Sequence, residues 1–411
     1  MSLSGPIIVV SNSAEPKLTL ALDEAKVFPI IETTSTDASR AVAQMQPCAV
    51  LVAMSQTGEA ELLRLATQVG ALQPYLPMIA IDPKSSLPEN VIPFSHAGRS
   101  PDRLVARLRA ALRVRALHAT VMRRLEHQAM ACPTIGEMKP ARDATVLLVG
   151  RGTLYPALSV ALGGRMGIVG ALSIEAAAKH LNMRDIDGIV LGEGFSPRVV
   201  DAFLTVLGED PRFRHLPVVV TLEGWAATYE LPNLEIIVGD PSHIAANALP
   251  LIRQHAYEAH LGRTLRSIDA GGLLDPLTGL LTRDAFKRDL ANAVRQTLSR
   301  GGGLSMARFA FDPAQTRAHL DGARLLSRLM RQMDFGTVQE DRSVVAVFAD
   351  TDLRNAHAIA RRLCSVMRHT DHGKRNPRRS EPTVTLATLQ ASDTEHSLLA
   401  RLYEDGSRAA S

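Results

Sequence analysis

The sequence predicts an α/β protein whose first two domains are doubly wound, each built on a parallel sheet. Short, continuously apolar runs at Ile7–Val10, Ala49–Ala53 and Met78–Ile81 are separated by segments with helical spacing of apolar residues. Continuous apolar strands are typical of parallel sheets that helices cover on both faces. The same order recurs 139 or 140 residues further on, in the runs Val146–Val149, Ile189–Leu191 and Val218–Val220. A tandem duplication explains a repeat of such constant spacing.

Length and composition limit the classes of protein that fit. A chain of 411 residues is expected to form roughly two to four domains. Hydrophobic residues make up 46% and charged residues 21%, which is typical of folded, soluble domains. The formal net charge of +4 with a pI near 9.1 is mild for this size and does not favour nucleic-acid binding.

The cysteines and the apolar segments indicate a cytoplasmic protein. Cys48, Cys132 and Cys364 are far apart and match neither a metal-ligand spacing nor a disulfide framework. No apolar run approaches the ~18 to 20 residues that span a bilayer, and residues 1–13 lack the pattern of a signal peptide. We therefore expect no membrane partner, no metal site and no cofactor.

Two long helical patterns mark the predicted domain ends. Pro101–Ala129 has apolar residues at helical spacing with arginines between them. A membrane-surface helix is the alternative interpretation, but a last helix that runs on as a connector or dimer contact is favoured. Ile244–Ile268 closes the second domain in the same way. The predicted domains are residues 1–130, 142–265 and 270–411.

Both parallel-sheet domains resemble response-regulator receiver domains, which have a flavodoxin-like fold with the site at the carboxyl ends of the strands. The resemblance implies an acidic pair that holds Mg²⁺ after the first strand, an Asp acceptor after the third and a Lys after the fifth. In the first domain Ser11 and Asn12 replace the acidic pair, and Ala53 stands at the acceptor position.

The second domain departs from the receiver pattern at all three places. Gly150 and Arg151 replace its acidic pair, Gly192 stands at the acceptor position, and Asp240-Pro241 replaces Lys-Pro. We expect no phosphorylation of either domain. For the second domain Glu193 leaves this open, because it lies one position beyond Gly192.

The segment Asp275–Arg283, DPLTGLLTR, resembles the D-x-L-T-G-L-x-N-R opening of GGDEF domains, the diguanylate cyclase family, with Thr282 in place of Asn. Asp350–Leu353 resembles the stretch that follows the central hairpin of that family, and Ala356–Leu363 resembles its next helix. The resemblance covers roughly residues 274–410 and implies an α/β domain with a mainly antiparallel sheet. Two receivers followed by a GGDEF domain resemble PleD/PopA-type response regulators, and PopA is the closest in type.

The residues at the family's catalytic positions do not suit catalysis. Counting from Asp334 places Glu340 and Asp341 on the two hairpin glycines, with Arg342 and Ser343 where an Asp and a Glu are expected. Carboxylates would then face a triphosphate, and the metal ligands are missing.

Two further cyclase features are also altered. Ala310 replaces the metal-binding Asp of the first strand, with Asp312 nearby, and the guanine-binding segment is shortened to Gln315–Leu320. We expect no cyclase activity.

The inhibitory site of the family is the part that this sequence retains. The resemblance implies that Arg331 and Asp334 bind guanine of cyclic di-GMP and that Arg362, beside Arg361, completes the site. An Arg can donate two hydrogen bonds to the O6/N7 edge of guanine, and a carboxylate can accept from N1 and N2. Arg-x-x-Asp spacing alone is weak evidence, because it also begins at Arg99, Arg184, Arg198, Arg266 and Arg368. The five-residue distance from Asp334 to the hairpin distinguishes Arg331.

Three functions remain open at the level of sequence. The favoured one is a catalytically inactive cyclic di-GMP effector that recruits protein partners, with PopA-type proteins implying regulated proteolysis in cell-cycle control at a bacterial cell pole. A nucleotide-independent scaffold is the alternative, and a residual diguanylate cyclase is the third. A homodimer is left open.

Overall fold

The structure is a computed structural model in which parts of the chain are described. These are residues 6–12, 22, 29–54, 57–83, 85, 87–95, 102–125, 135, 144–225, 231–300, 303–313, 317–331, 333–367 and 382–408. The chain divides into two compact units, residues 1–177 with 186–261 and residues 178–185 with 262–411. The three predicted domain ranges stay a prediction.

The first sheet lies in the first unit and is parallel throughout, in the order β2-β1-β3-β4-β5. Its strands are β1 (Ile7–Val10), β2 (Ile30–Thr33), β3 (Ala49–Ala53), β4 (Met78–Ile81) and β5 (Val91–Phe94). The described helices that accompany it are α1 (Ala38–Met45), α2 (Glu59–Gly70) and α3 (Asp102–Leu125). The three predicted strands are confirmed. One face, including Ile8 and Val10, packs against α1 and α2.

The second parallel sheet repeats this topology, in the order β7-β6-β8-β9-β10. Its strands are β6 (Thr145–Val149), β7 (Gly167–Ala171), β8 (Gly188–Leu191), β9 (Val218–Val220) and β10 (Leu234–Ile236). Its helices are α4 (Tyr155–Gly163), α5 (Ile174–Met183), α6 (Pro197–Glu209) and α7 (Pro241–Asp269). Both sheets have the flavodoxin-like strand order 2-1-3-4-5, as the predicted repeat requires.

The second unit contains an antiparallel sheet in the order β12-β13-β11-β14, as predicted. Its strands are β11 (Leu304–Ala310), β12 (Phe335–Val338), β13 (Val344–Ala349) and β14 (Thr383–Thr388). The helices are α8 (Arg283–Arg300), α9 (Ala318–Leu329), α10 (Leu353–Met367) and α11 (Glu395–Arg408). Side chains alternate across β13: Val344, Ala346 and Phe348 pack with α9 and α10, whereas Val345 and Val347 pack with α8 and α11.

Both long helices are present over the described part of their predicted ranges, and residues 101 and 126–129 lie outside the described residues. Pro101–Ala129 corresponds to α3, whose described residues are Asp102–Leu125, and Ile244–Ile268 lies within α7. Between the first two predicted domains, Ile135 is the one residue that the structure describes. Within the part of the chain that the structure describes, no helix is both long and apolar enough to cross a bilayer.

A buried histidine lies on α3. His118 is 1% exposed, and its Nδ1 accepts a hydrogen bond from the backbone N–H of Tyr75 at 2.9 Å. Its ring packs edge-on against Tyr257 of α7, with centroids 5.5 Å apart. Burial, together with the charge of Arg115, lowers the pKa of His118 to about 4.

Acid should destabilise the protein through His118. Because the folded pKa lies below the unfolded value of about 6.5, the unfolded state binds more protons between these values. The free energy of unfolding should therefore fall by up to about 3 kcal/mol as the pH drops from 6.5 to 4. Urea unfolding of wild type and His118→Gln from pH 4 to 7 measures this.

The glutamine variant can still accept the Tyr75 N–H but does not titrate. The free energy of unfolding of this variant should depend less steeply on pH than that of wild type. The dependence should not vanish, because burial also lowers the pKa of His215 to about 4. Equal slopes in the two proteins would contradict the assignment.

Candidate functional site

The segment Asp275–Arg283 forms a tight turn that leads into α8 and lies alongside β12. The Asp275 carboxylate accepts hydrogen bonds from the Leu277 N–H at 3.1 Å and the Thr278 hydroxyl at 2.6 Å. Gly279 has φ +74°, and a Cβ there would lie 2.8 Å from the Ser327 hydroxyl oxygen. Glycine suits this position because it adopts positive φ without steric cost.

The same segment is bonded to the strand that begins the hairpin. The Leu281 N–H donates to the Gly336 carbonyl at 3.0 Å, and the Thr337 hydroxyl donates to the Leu281 carbonyl at 2.9 Å. The residues that carry the family resemblance therefore position β12 and the residues next to it.

Arg331 and Asp334 lie in a tight turn between α9 and β12. The Asp334 N–H donates to the Arg331 carbonyl at 3.0 Å, and the Arg331 N–H donates to Asp334 Oδ2 at 3.2 Å. Asp334 Oδ1 accepts from the Ala349 N–H at 3.2 Å, at the end of β13. Burial raises the pKa of Asp334, although these hydrogen bonds and the Arg331 charge oppose the rise. The turn orders the backbone of both predicted residues.

The predicted arginines leave their guanidinium groups exposed. Arg331 is exposed after α9, and Arg361 and Arg362 are exposed on α10. Within the described part of the chain, neither Arg331 nor Arg362 donates a side-chain hydrogen bond. Helices α9 and α10 pack on the same face of the antiparallel sheet. Arg331 therefore follows one of these helices and Arg362 lies on the other.

Further residues hold the ends of α9 and α10. Arg328, in the last turn of α9, pairs with Asp185 at 3.1 Å and donates to the Arg184 carbonyl. The Arg184 side chain is 6% exposed and donates to the Val366 carbonyl on α10. Burial lowers the pKa of Arg184 to about 10. These contacts lie within the second unit, to which residues 178–185 belong, and the sequence did not predict them.

The hairpin between β12 and β13 is closed by residues 339–343. The Gln339 N–H donates to the Ser343 carbonyl at 2.8 Å, and the Arg342 N–H donates to the Gln339 carbonyl at 3.1 Å. Arg342 has φ +64°, in the left-handed region. Glu340 is 87% exposed and pairs with Arg283 at 3.0 Å.

The Asp341 carboxylate is bonded within the hairpin and to β11. Its Oδ1 accepts from the Ser343 N–H at 3.0 Å and from the Ser343 hydroxyl at 2.6 Å. Its Oδ2 accepts from Arg308 Nη2 at 2.7 Å, and Arg308 Nε donates to the Ser343 hydroxyl at 3.2 Å. Although burial acts against it, these bonds lower the pKa of Asp341.

Arg308 places a fixed cation at the hairpin. It projects from β11, and its guanidinium carbon lies 4.4 Å from the centroid of the Tyr403 ring, within the range of a cation–π contact. The guanidinium bonds both the Asp341 carboxylate and the Ser343 hydroxyl. This role was not predicted from the sequence, in which an arginine between Ala307 and Phe309 in an apolar strand was the available signal.

The other predicted cyclase losses fall at the end of β11. Ala310 is the last residue of that strand, and Asp312 follows it. Of the shortened segment, residues 315 and 316 lie outside the described residues, and α9 begins at Ala318. Among described residues, no three His, Cys, Asp or Glu side chains form a group that could hold a metal ion.

At the predicted acceptor positions, the two parallel sheets present no aspartate. Ala53 ends β3 and is 4% exposed, and Gly192 follows β8, with its N–H donating to the Val149 carbonyl at 2.7 Å. The Glu193 carboxylate lies 3.4 Å from the Thr153 hydroxyl. Asp240 caps α7, since its Oδ1 accepts the N–H groups of residues 242 and 243 at 2.9 and 3.1 Å.

About a third of this chain is similar in fold to solved GGDEF domains. The coiled-coil and GGDEF domain of DgcB from Caulobacter crescentus, in complex with c-di-GMP, is 16% identical, with a TM-score of 0.30 over 35% of this chain and 83% of that one. The FimX GGDEF domain from Pseudomonas aeruginosa is 18% identical, with a TM-score of 0.29 over 34% and 93%.

The diguanylate cyclase SiaD from P. aeruginosa, in complex with its activator SiaC, is 16% identical, with a TM-score of 0.30 over 36% and 64%. At these identities and TM-scores the similarity concerns the fold alone and says nothing about ligand or activity. No protein-family model matches the sequence, and no curated protein matches it.

Removing the Arg308 guanidinium should loosen the hairpin. Arg308→Gln removes a cation that is 17% exposed and leaves the Asp341 carboxylate without it, so we expect a loss of about 1 kcal/mol in the free energy of unfolding. Amide exchange at Ser343 should become faster, which hydrogen–deuterium exchange with mass spectrometry can measure.

Arg283→Gln is the matched control, because it removes an ion pair to the same hairpin at the exposed Glu340. Its effect on stability should stay within about 0.5 kcal/mol. Equal effects of the two variants would show that Arg308 has no special role.

Proposed function

We propose that this protein is a catalytically inactive cyclic di-GMP effector that binds the nucleotide at Arg331, Asp334 and Arg362. The proposal rests on the contrast between two neighbouring sites. Arg331, after α9, and Arg362, on α10, are exposed, whereas the hairpin carboxylate of Asp341 is bonded to Arg308.

The chemistry of the exposed groups suits a guanine nucleotide with a phosphate backbone. A guanidinium can donate two parallel hydrogen bonds to guanine O6 and N7, and arginine pairs strongly with phosphate oxygens. Asp334 accepts one backbone N–H on each oxygen, so a carboxylate with about four lone-pair sites can still accept from N1 and N2 of guanine.

Loss of cyclase activity is the second part of the proposal. Phosphoryl transfer depends on metal ions and donors that neutralise the developing charge. At this hairpin, Glu340 and Asp341 would instead bring two carboxylates toward a triphosphate, and Arg308 already neutralises Asp341. We also propose that neither parallel-sheet domain is phosphorylated, since alanine and glycine occupy the acceptor positions.

The alternative is a nucleotide-independent scaffold, and the bonding of Asp334 favours it. Because both carboxylate oxygens accept backbone N–H groups, Asp334 can be explained as a purely structural turn residue. In that case Arg331 and Arg362 are solvated surface charges, and the protein acts only through protein partners.

The cellular role is proposed from the resemblance to PopA-type proteins alone. It consists of recruiting partner proteins in the cytoplasm, with regulated proteolysis at a cell pole as the outcome. The partners and any homodimer contact are not defined by the site.

Calorimetry with cyclic di-GMP tests the proposed site. Wild type should bind, and Arg331→Ala should weaken binding roughly 5- to 150-fold, because a bidentate arginine contributes about 1 to 3 kcal/mol to base recognition. Arg362→Ala should also weaken binding.

Arg361→Ala is the control, since Arg361 is exposed beside Arg362 on the same helix and is not assigned to the site. Its affinity should equal that of wild type. Absence of binding heat with wild type at several temperatures would leave the scaffold as the function.

Incubation with GTP and Mg²⁺ tests the inactive hairpin. We expect no cyclic di-GMP by chromatography, because Arg342 and Ser343 stand where metal-binding carboxylates are expected and Glu340 and Asp341 stand where phosphates would lie. Measurable product would refute the assignment of Arg342 and Ser343 to the catalytic positions.

A further inference from the structure

A buried ion cluster lies where the two parallel sheets of the first unit meet. Glu235 in β10 and Arg107 in α3 are both fully buried, and Arg107 Nη2 donates to Glu235 Oε1 at 2.9 Å. Arg103, 3% exposed, lies 3.8 Å from the same oxygen. Glu235 Oε2 accepts from the Ser95 N–H at 3.3 Å. The Glu235 carboxylate of the second sheet therefore contacts two arginines of α3 and the backbone N–H of Ser95, just after β5.

Arg107 also bonds the edge strands of both sheets. Strands β5 and β10 are the outermost strands of their sheets. Arg107 Nη1 donates to the Pro93 carbonyl in β5 at 2.9 Å, and its Nε donates to the Pro232 carbonyl just before β10 at 3.0 Å. Arg103 donates to the Leu234 carbonyl in β10. The two arginines of α3 thus donate hydrogen bonds to backbone carbonyl groups at these edges, where a neighbouring strand would otherwise donate.

A second set of contacts runs in the opposite direction, from α7 to the first sheet. Arg253 pairs with Glu89, just before β5, at 2.8 Å. The Gln254 side-chain amide donates to the Tyr75 hydroxyl at 3.2 Å. Tyr257 packs edge-on against Tyr75, with ring centroids 5.9 Å apart. Each domain therefore sends its last helix against the other domain.

Burial of these charges favours one relative position of the two sheets. Ions lose their hydration when they are buried, and only a partner in good geometry compensates that loss. Arg107 and Glu235 each satisfy the other only when the two sheets keep their mutual position. A small rotation would leave buried charges without partners, which is costly.

We propose that Glu235 locks the two parallel-sheet domains into one fixed body, so that the first domain does not move independently of the second. This inference concerns residues outside the proposed nucleotide site and does not depend on nucleotide binding. The first domain then keeps a constant position within its unit, and Arg107 and Arg103 are the residues of that domain that pair with Glu235.

Electron spin resonance distances in the full-length chain test the lock. Spin labels are attached at Leu63→Cys on α2 and Val160→Cys on α4, where the native side chains are 58% and 68% exposed. Cys132→Ser removes a native thiol, and Cys48 and Cys364 are buried. With Glu235 present we expect one narrow distance distribution. Glu235→Ala should broaden it or add a second distance.

Asp37→Asn is the matched control, because it removes an ion pair of the first domain that is exposed, with Arg40 at 2.6 Å. Its distribution should equal that of the parent chain. If the circular dichroism spectrum shows that Glu235→Ala does not fold, Glu235→Gln is measured in its place, because it keeps the side-chain volume.

The proposal is overturned by a broad or double distribution in the parent chain, which needs no variant. It is equally overturned by a folded Glu235 variant whose distribution stays as narrow as that of the control. A narrow parent distribution that broadens only on loss of the carboxylate supports it.

Discussion

The carboxylate of Asp334 is the constraint on which the proposed nucleotide site depends. It accepts the N–H of Arg331 after α9 and the N–H of Ala349 at the end of β13, while β12 begins at the next residue. One side chain therefore joins the end of α9, the start of β12 and the end of β13. These bonds hold the backbone that carries Arg331, which would reduce the entropy lost on binding of the proposed nucleotide.

The hairpin between β12 and β13 combines a regular backbone with polar side chains that bond to one another. Strands β12 and β13 pair in register up to Val338 and Val344, and the turn closes with Arg342 at positive φ. Inside this intact turn, Asp341, Ser343 and Arg308 bond to one another. Polar groups that are already satisfied gain little from a further partner, which supports the proposal that this hairpin does not catalyse.

Much of the fold could be predicted because its strands are continuous apolar runs, and burial on both faces of a parallel sheet leaves that pattern in the sequence. The position of the hairpin followed from its distance to Asp334. The role of Arg308 could not be predicted, because it depends on which side chain of β11 reaches Asp341 and Ser343 in the fold. The pair Arg107–Glu235 is separated by 128 residues, and no local pattern encodes such a contact. An acidic residue in the centre of the short strand LEI was its one visible sign.

The arginines between β5 and β10 also bear on solubility. An exposed edge strand presents unpaired backbone groups on which another chain can pair, and natural proteins cover such edges. Here Arg107 and Arg103 bond carbonyl groups of β5 and β10, and Pro93 in β5 adds a residue that has no N–H to offer. Separation of the domains would uncover both edges at once, so the proposed lock would also protect the chain from aggregation.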